Sequence, residues 1–386
     1  MRIVVAGFLG LFPAGGATWD YLQYPLGLLE LGHDVYYLED TELWPIFQND
    51  VGITATLNHL RTVMAWAGMD GRWAYRDEAS GQWYGLPPEQ VAEIWRTADL
   101  FINVSCANVL REETLQVSKR VLIDSDPMFT QVQILQDRGI LKDQGGVRQV
   151  VDGHTHHFSF GELIGTPPCR IPPTGHHWRT TRQPICLNRW PVSSPPADGA
   201  FTTVMNWSAA RELSYGGETW GQKNREFEAI LPLPRQVAPI RLAVALARSQ
   251  SVPFPEEQAR EGAWRLLDPE ECAGNWLNYR NFLGTSLGEF SVAKHTYVKA
   301  RTGWFSCRSA CYLASGRPVV TQDTGWSELL PHGEGLFAFS RPEEAAEALR
   351  EISAEPERHG LAARRIAEAY FDSKQVLQNL LDEVMD

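Results

Sequence analysis

The 386-residue chain predicts an α/β protein made of two parallel-sheet domains in series. Three observations carry that expectation. Residues 3–6 (IVVA) form an unbroken apolar run of the kind buried on both faces of a parallel sheet. A second strand-first unit opens at residues 201–206, just after a stretch at 191–199 (PVSSPPADG) that reads as a linker. Residues 300–334 read as a small-residue helix, a turn at Gly316-Arg317-Pro318, a buried strand at Val319-Val320 and a polar loop at Asp323-Thr324-Gly325. A parallel strand ending in such a loop delivers backbone N–H groups to the crevice beyond its carboxyl end, where open α/β sheets bind ligands.

The remaining elements follow in order. Residues 8–18 (FLGLFPAGGAT) are a Gly/Pro loop, and residues 21–31 have helical apolar spacing, with Asp20 placed to cap or begin the helix. Gly32 stands where a helix C-terminal glycine belongs, and residues 35–38 form the next strand, ending at Glu39-Asp40. Strand, helix and strand in that order make a right-handed parallel unit. Helices are expected at 57–67 and 88–98 and strands at 100–104 and 121–123, whereas 152–190, rich in Pro, His, Arg and Thr, reads as irregular closing structure. In the second half a glycine loop, Tyr215-Gly216-Gly217, leads to a helix at 222–230, a strand at 240–245 and a helix at 276–282. Helices at 343–352, 361–370 and 373–384 end the chain.

Composition narrows the function. Apolar residues make up 44% and charged residues 21%, enough for two ordinary cores. A formal net charge of −12 argues against nucleic acid or an anionic membrane as unaided partners, since both are held by basic surface. Six scattered cysteines read as reduced thiols of a cytoplasmic protein. No run approaches the length of a membrane span. The apolar stretch at 3–12 has one positive charge before it and no clear cleavage site, so it reads as a first strand rather than a secretion signal.

Two sets of motifs resemble the GT-B glycosyltransferases, in particular their family 1/4-like group. One is Leu313-Ala314-Ser315-Gly316-Arg317-Pro318-Val319-Val320, followed by Asp323-Thr324-Gly325 and Gly333-Glu334-Gly335-Leu336. The other is Met1-Arg2-Ile3-Val4-Val5-Ala6-Gly7 with Leu28-Leu29-Glu30-Leu31-Gly32-His33-Asp34-Val35. The resemblance implies two Rossmann-like domains facing across a cleft: residues 1–195 for the acceptor, 196–368 for the nucleotide sugar, and 369–386 as a helix crossing back to the first domain. It implies transfer of a sugar, of hexosyltransferase type, from a nucleoside-diphosphate sugar to a small-molecule acceptor, with no metal or other cofactor. One departure stands out. Aligned on the Ser-Gly-Arg-Pro turn, the glutamate pair usual in retaining members falls on Gly303 and Cys311, so the usual ribose-binding carboxylate is missing.

The candidate site residues follow. The loop Gly7-Phe8-Leu9-Gly10 with Gly15 and Gly16 invites a dinucleotide reading, with Glu39 or Asp40 as the ribose carboxylate, but its spacing fails the fingerprint. An acceptor or sugar approaching the backbone suits it better. Asp20 follows that loop, where the resemblance implies the base that takes the acceptor hydroxyl's proton; its structural alternative is a helix cap. Lys223 and Arg225 follow the second glycine loop, where the resemblance implies contact with the leaving diphosphate; the alternative is a solvated face with Arg225 paired to Glu226 or Glu228. Arg301, Thr302, Ser306, Arg308 and Ser309 resemble an anion pocket, with Arg308 nearest the helix start.

Glu289, read as lying in a loop, is a replacement for the missing ribose carboxylate. Asp323, Thr324 and Gly325 are donor-loop residues by resemblance, or turn caps. Trp19, Trp304 and Trp326 are candidates for stacking on a sugar or acceptor ring. His154, His156, His157, His176 and His177 with Cys169 and Cys186 suggest a metal site, but the spacing fits no zinc pattern and none is expected. Two other classes stay open: a silent GT-B-like module that binds a sugar nucleotide or a partner, and another enzyme on this scaffold, a sugar-nucleotide epimerase or an NAD-dependent oxidoreductase.

Overall fold

The computed structural model describes residues 1–42, 53–136, 146–208, 212–249 and 252–386. The chain divides into two compact units. The first comprises Met1–Phe160, Pro172–Cys186 and Ser373–Asp386, and the second Gly161–Ile171 and Leu187–Asp372. The sequence predicts one boundary at 195 and a final segment from 369; the chain passes between the units at 160/161, 171/172, 186/187 and 372/373.

The first unit is built on eight strands: β1 (Arg2–Ala6), β2 (Asp34–Glu39), β3 (Trp73–Arg76), β4 (Trp83–Gly85), β5 (Leu100–Val104), β6 (Lys119–Asp124), β7 (His156–Ser159) and β8 (Trp178–Thr180). Their order is β4-β3-β2-β1-β5-β6-β7-β8, and only β3 and β4 pair antiparallel. Ile3, Val4, Val5 and Ala6 are wholly buried, as an apolar strand covered on both faces must be. The chain leaves β1 for β2 on one side and returns to β5 on the other, so the topological switch lies between β1 and β5. Residues 152–190 were expected to be irregular; they supply β7 and β8, short strands whose sequences lack a long apolar run.

The C-terminal helix Ser373–Met385 packs on the Gly15–Glu30 helix within this unit. Gly27 permits the approach, since a Cβ there would come within 2.6 Å of Leu377.

The second unit carries β9 (Phe201–Asn206), a separate antiparallel hairpin of β10 (Leu213–Tyr215) and β11 (Glu218–Trp220), and then β12 (Leu242–Ala247), β13 (Arg265–Leu267), β14 (Gly288–Ser291), β15 (Val319–Gln322) and β16 (Leu336–Phe339). The six-stranded sheet is parallel throughout, in the order β13-β12-β9-β14-β15-β16, with its switch between β9 and β14. Both sheets thus have the doubly wound order of nucleotide-binding domains. Phe201, Leu242, Val244, Trp264, Phe290 and Leu349 are among the side chains that fill the second core. The expected glycine loop at 215–217 is the tip of the hairpin: Gly216 and Gly217 have φ of 63° and 76°, as a tight two-residue hairpin turn requires.

Candidate functional site

The carboxyl ends of β9, β14 and β15 bring together residues far apart in sequence. After β9 the chain forms the hairpin and then a short helix, Lys223–Phe227; after β14 it enters the short helix His295–Ala300. Glu226 accepts hydrogen bonds at both oxygens, from His295 Nδ1 at 2.6 Å and from Gln322 Nε2 at 2.5 Å. Gln322, the last residue of β15, accepts from the Ala293 N–H through its own oxygen at 3.2 Å. Lys223 is half-buried one turn before Glu226. Of these residues the sequence points to Lys223, and to Glu226 only as a partner for Arg225; His295 and Gln322 carry no sequence signal that marks them.

Deeper in the sheet, Arg308 donates from Nε to Glu289 Oε1 at 2.6 Å and from Nη1 to the Val204 carbonyl at 3.0 Å. Glu289 was read as a loop residue that could hold a ribose. It lies inside β14, has no exposed surface, and is the charge partner of Arg308. Burial opposes the charge on Arg308, and the Glu289 carboxylate more than restores it, so the guanidinium stays ionised. Arg308 follows the N-cap Ser306 at the start of the Cys307–Ala314 helix, and the next residue, Ser309, is wholly buried with no hydrogen-bond partner for its hydroxyl. Cys311, at the place of the inner glutamate, is also wholly buried.

The Asp323-Thr324-Gly325 loop is closed on itself. Asp323 Oδ1 accepts from the Gly325 and Ser327 N–H groups at 2.8 and 3.3 Å, and Oδ2 accepts from the Ser327 hydroxyl at 2.8 Å. This is turn capping, and it occupies the Gly325 amide that the sequence reading had offered to a ligand. Thr324 is buried; its hydroxyl donates to the Trp304 carbonyl at 2.6 Å and its carbonyl accepts from the Gly303 N–H at 2.9 Å. The loop is thereby fastened to the segment that leads into the Cys307–Ala314 helix. In that segment Arg301 pairs with Glu328, and Thr302 and Ser306 are buried. Trp326 is buried with Nε1 on the Gln322 carbonyl, so its ring packs the core and offers no face to a ligand. Trp304 is half-buried against Tyr297, with ring centres 4.5 Å apart.

Arg225 has neither of the partners expected for it. It makes a two-pronged pair with Glu212, at 2.5 and 2.7 Å, which ties its helix to the hairpin. The hairpin is also held at Trp220, whose ring lies 4.7 Å from the Arg170 guanidinium and 4.4 Å from the Lys299 ammonium. Glu218 joins both cations.

The first unit has its own switch point. Gly15 and Gly16 begin the Gly15–Glu30 helix, with Ala14 as its cap, so Asp20 is no cap; it lies in the second turn and is exposed. Its neighbour Tyr21 reaches Ser105 Oγ at 3.4 Å, and Ser105 Oγ is 2.6 Å from Ser125 Oγ. Ser105 and Cys106, just past β5, have φ of 63° and 54°. Trp19 is wholly buried, edge-on to Trp66, and cannot stack on an acceptor. Glu39 is buried and accepts from the Gly10 and Leu11 N–H groups at 2.7 and 2.8 Å and from the Tyr37 hydroxyl at 2.7 Å. It pins the first loop, and Asp40, the other candidate, is buried and paired with Arg111 at 2.5 and 3.0 Å, so both carboxyl groups offered for an NAD ribose are engaged within the protein.

Among the described residues, no group of three or more His, Cys, Asp or Glu side chains is placed to hold a metal ion. In the histidine cluster, both ring nitrogens of His176 are engaged, by Asp152 at 2.7 Å and Thr174 at 3.0 Å. No helix among the described residues is long and apolar enough to cross a membrane.

No protein-family model matches the chain, and no curated protein matches it at significance. Solved structures do. An α-glucosyltransferase in complex with UDP aligns with 100% of this chain and 100% of its own, at 12% identity and a TM-score of 0.59. AviGT4, a glycosyltransferase involved in avilamycin A biosynthesis, aligns over 100% and 97%, at 12% identity and a TM-score of 0.55. Anabaena HepE in complex with UDP and glucose aligns over 100% and 99%, at 13% identity and a TM-score of 0.53. At these identities the likeness fixes the fold, which is that of the GT-B glycosyltransferases.

Proposed function

We propose that the protein is a glycosyltransferase that takes a sugar from a nucleoside-diphosphate sugar and passes it to a hydroxyl-bearing small molecule. The observation that carries this reading is the convergence of Glu226, on the short helix that Lys223 begins, with His295 and Gln322 at the switch point of the second sheet. Doubly wound sheets take up nucleotides at that place, and full-length structural neighbours were solved with UDP. Breaking the anomeric bond leaves negative charge on the β-phosphate, and Lys223 is the cation assigned to stabilise it, so the transfer needs no metal. Arg308 and Arg225 contribute indirectly, since one is sealed against Glu289 and the other is paired with Glu212.

In the first unit the exposed carboxylate of Asp20 is the proposed base for the acceptor hydroxyl. Tyr21, the next residue, reaches Ser105, which meets Ser125, and these hydroxyls suit a polar acceptor.

The test is thermal stabilisation by UDP, dTDP and GDP, followed by turnover of the matching sugar nucleotide. A ligand that binds only the native state raises apparent stability. Lys223→Ala and Asp20→Ala are each expected to slow turnover by about 10- to 1,000-fold. Full transfer rates in both variants would reject these roles. A silent sugar-nucleotide binder is the second reading, favoured by the burial of Cys311 where retaining relatives carry a glutamate. Stabilisation by a nucleotide with no turnover would select it.

A further inference from the structure

Several histidines in this chain serve the fold. His154 places Nδ1 on the Val150 carbonyl at 2.7 Å and Nε2 beside Asn103 at 3.3 Å, and His176 engages both nitrogens. His295 is different. Its Nδ1 is held at 2.6 Å by Glu226, whose other oxygen is held by Gln322, whose own oxygen is held by a backbone N–H. Its Nε2 meets no hydrogen-bond partner among the described residues, and the side chain keeps 26% of its surface exposed. One ring nitrogen is therefore fixed through a three-residue chain while the other is left open.

Such a chain has a chemical consequence. A carboxylate on Nδ1 makes that nitrogen the donor and fixes the ring plane, and in the imidazolium form Nε2–H then points outward as a charge-assisted donor. The place matters as much. His295 lies four residues past the end of β14, Gln322 ends β15, and Glu226 follows Lys223 by one turn, all beside the β9/β14 switch. The elements packed on the His295 helix add Lys223, Arg225 and Glu218, and its own segment adds Lys294 and Lys299.

We propose that His295 donates from Nε2–H to the terminal phosphate of a bound nucleoside diphosphate, with Glu226 and Gln322 as its positioning residues. The inference rests on the sugar-nucleotide reading above and deepens it. In the transfer step the bond between the anomeric carbon and the β-phosphate oxygen breaks, and its electron pair goes to that oxygen. The acceptor oxygen bonds to the anomeric carbon and its proton passes to the base. His295 keeps its proton and shares it with the departing phosphate, an interaction that strengthens as the charge develops.

The experiment compares binding of UDP, dTDP and GDP with that of the corresponding monophosphates, by calorimetry on the full chain. H295Q is expected to weaken the diphosphate by about 10- to 100-fold, as loss of one hydrogen bond to a charged group does. The monophosphate, which lacks the contacted group, should be unaffected. E226Q should give a smaller loss with the same selectivity, and H295K should recover part of the affinity by restoring a cation. A merely structural histidine would lower both nucleotides together, so equal losses, or no loss in H295Q, overturn the proposal. If H295Q fails to fold, long-range 1H–15N spectra of the wild-type histidines serve instead. One imidazole Nε2 resonance should move with diphosphate and stay put with monophosphate, and no movement overturns the proposal. If the wild type binds none of the three diphosphates, the sugar-nucleotide reading falls and takes this role with it.

Discussion

Arg308 and Glu289 form an enclosed ion pair across the switch point of the second sheet, Nε to Oε1 at 2.6 Å, with 12% and 0% of their side chains exposed. The second guanidinium bond, to Val204 in β9, makes the pair a cross-brace between β9 and β14. Removing one partner strands the other charge away from water. Glu289→Ala should therefore cost about 3–5 kcal/mol, while the double replacement Arg308→Met with Glu289→Leu should recover most of it. Chemical denaturation of the single and the double variant checks this. If Arg308→Met abolished nucleotide binding at unchanged stability, Arg308 would be a ligand and the brace interpretation would fail.

Gly325 is held at φ 98°, and a Cβ there would sit 2.5 Å from Leu163 Cδ1. Leu163 comes from the segment Gly161–Ile171 and also covers Gly303, through its side chain and a backbone bond to Thr302 at 3.1 Å. Gly325→Ala should destabilise by more than about 1 kcal/mol, from backbone strain and the clash together. Adding Leu163→Ala removes the clash and leaves the strain, so it should relieve part of the clash term while introducing its own cavity cost. A double-mutant cycle on melting temperature reads the coupling, and strict additivity would show that the two residues do not meet.

Elements set by local signals were legible in the sequence. Residues 3–6 and 201–206 are strands because apolar side chains must be covered on both faces, and Gly32 ends a helix because its φ of 85° suits a residue without Cβ. The hairpin at 213–220 was misread as a glycine loop although two glycines between short strands are a hairpin signal. Three-residue strands carry too little alternation to announce themselves. The candidate site was barely legible, since Glu226 lies 69 residues from His295 and 96 from Gln322 and only the crossover order brings them together. The burial of Trp19, Trp326 and Glu289 was equally hidden, because residue type alone does not reveal which side of an element faces the core.

The C-terminal helix is fixed by a small residue on its neighbour. Leu377, Leu380, Leu381 and Val384 are each at most 2% exposed, and Gly27 admits Leu377 and Ser373 to within 2.6 and 2.8 Å of where a Cβ would stand. Gly27→Val should push the helix away and expose those four side chains, each worth about 1.5–3 kcal/mol of burial. Limited proteolysis should then cut near residue 373 while the wild type resists. Equal resistance would mean that the helix can shift without losing its contacts.

Glu39 links stability to pH through the first loop. Burial pushes its carboxyl from the ordinary 4.5 up to about 7, against the opposing pull of the Gly10 N–H, the Tyr37 hydroxyl and the Leu11 N–H. Below pH 4.5 the group is protonated in both folded and unfolded chains, and its contribution is fully present. As pH rises, the unfolded chain releases the proton first, so the folded state loses relative stability until its own carboxyl ionises near 7. The loss from this group is about 3 kcal/mol, complete above that pH. Glu39→Gln is permanently neutral and lacks the titration. The stability of the wild type minus that of Glu39→Gln, from urea unfolding at several pH values, should fall across this window and level off above it. A difference that stays flat from pH 4.5 to 8 would mean that the N–H groups of the first loop hold the carboxylate ionised throughout, and the loop would then be equally ordered at every pH in the range.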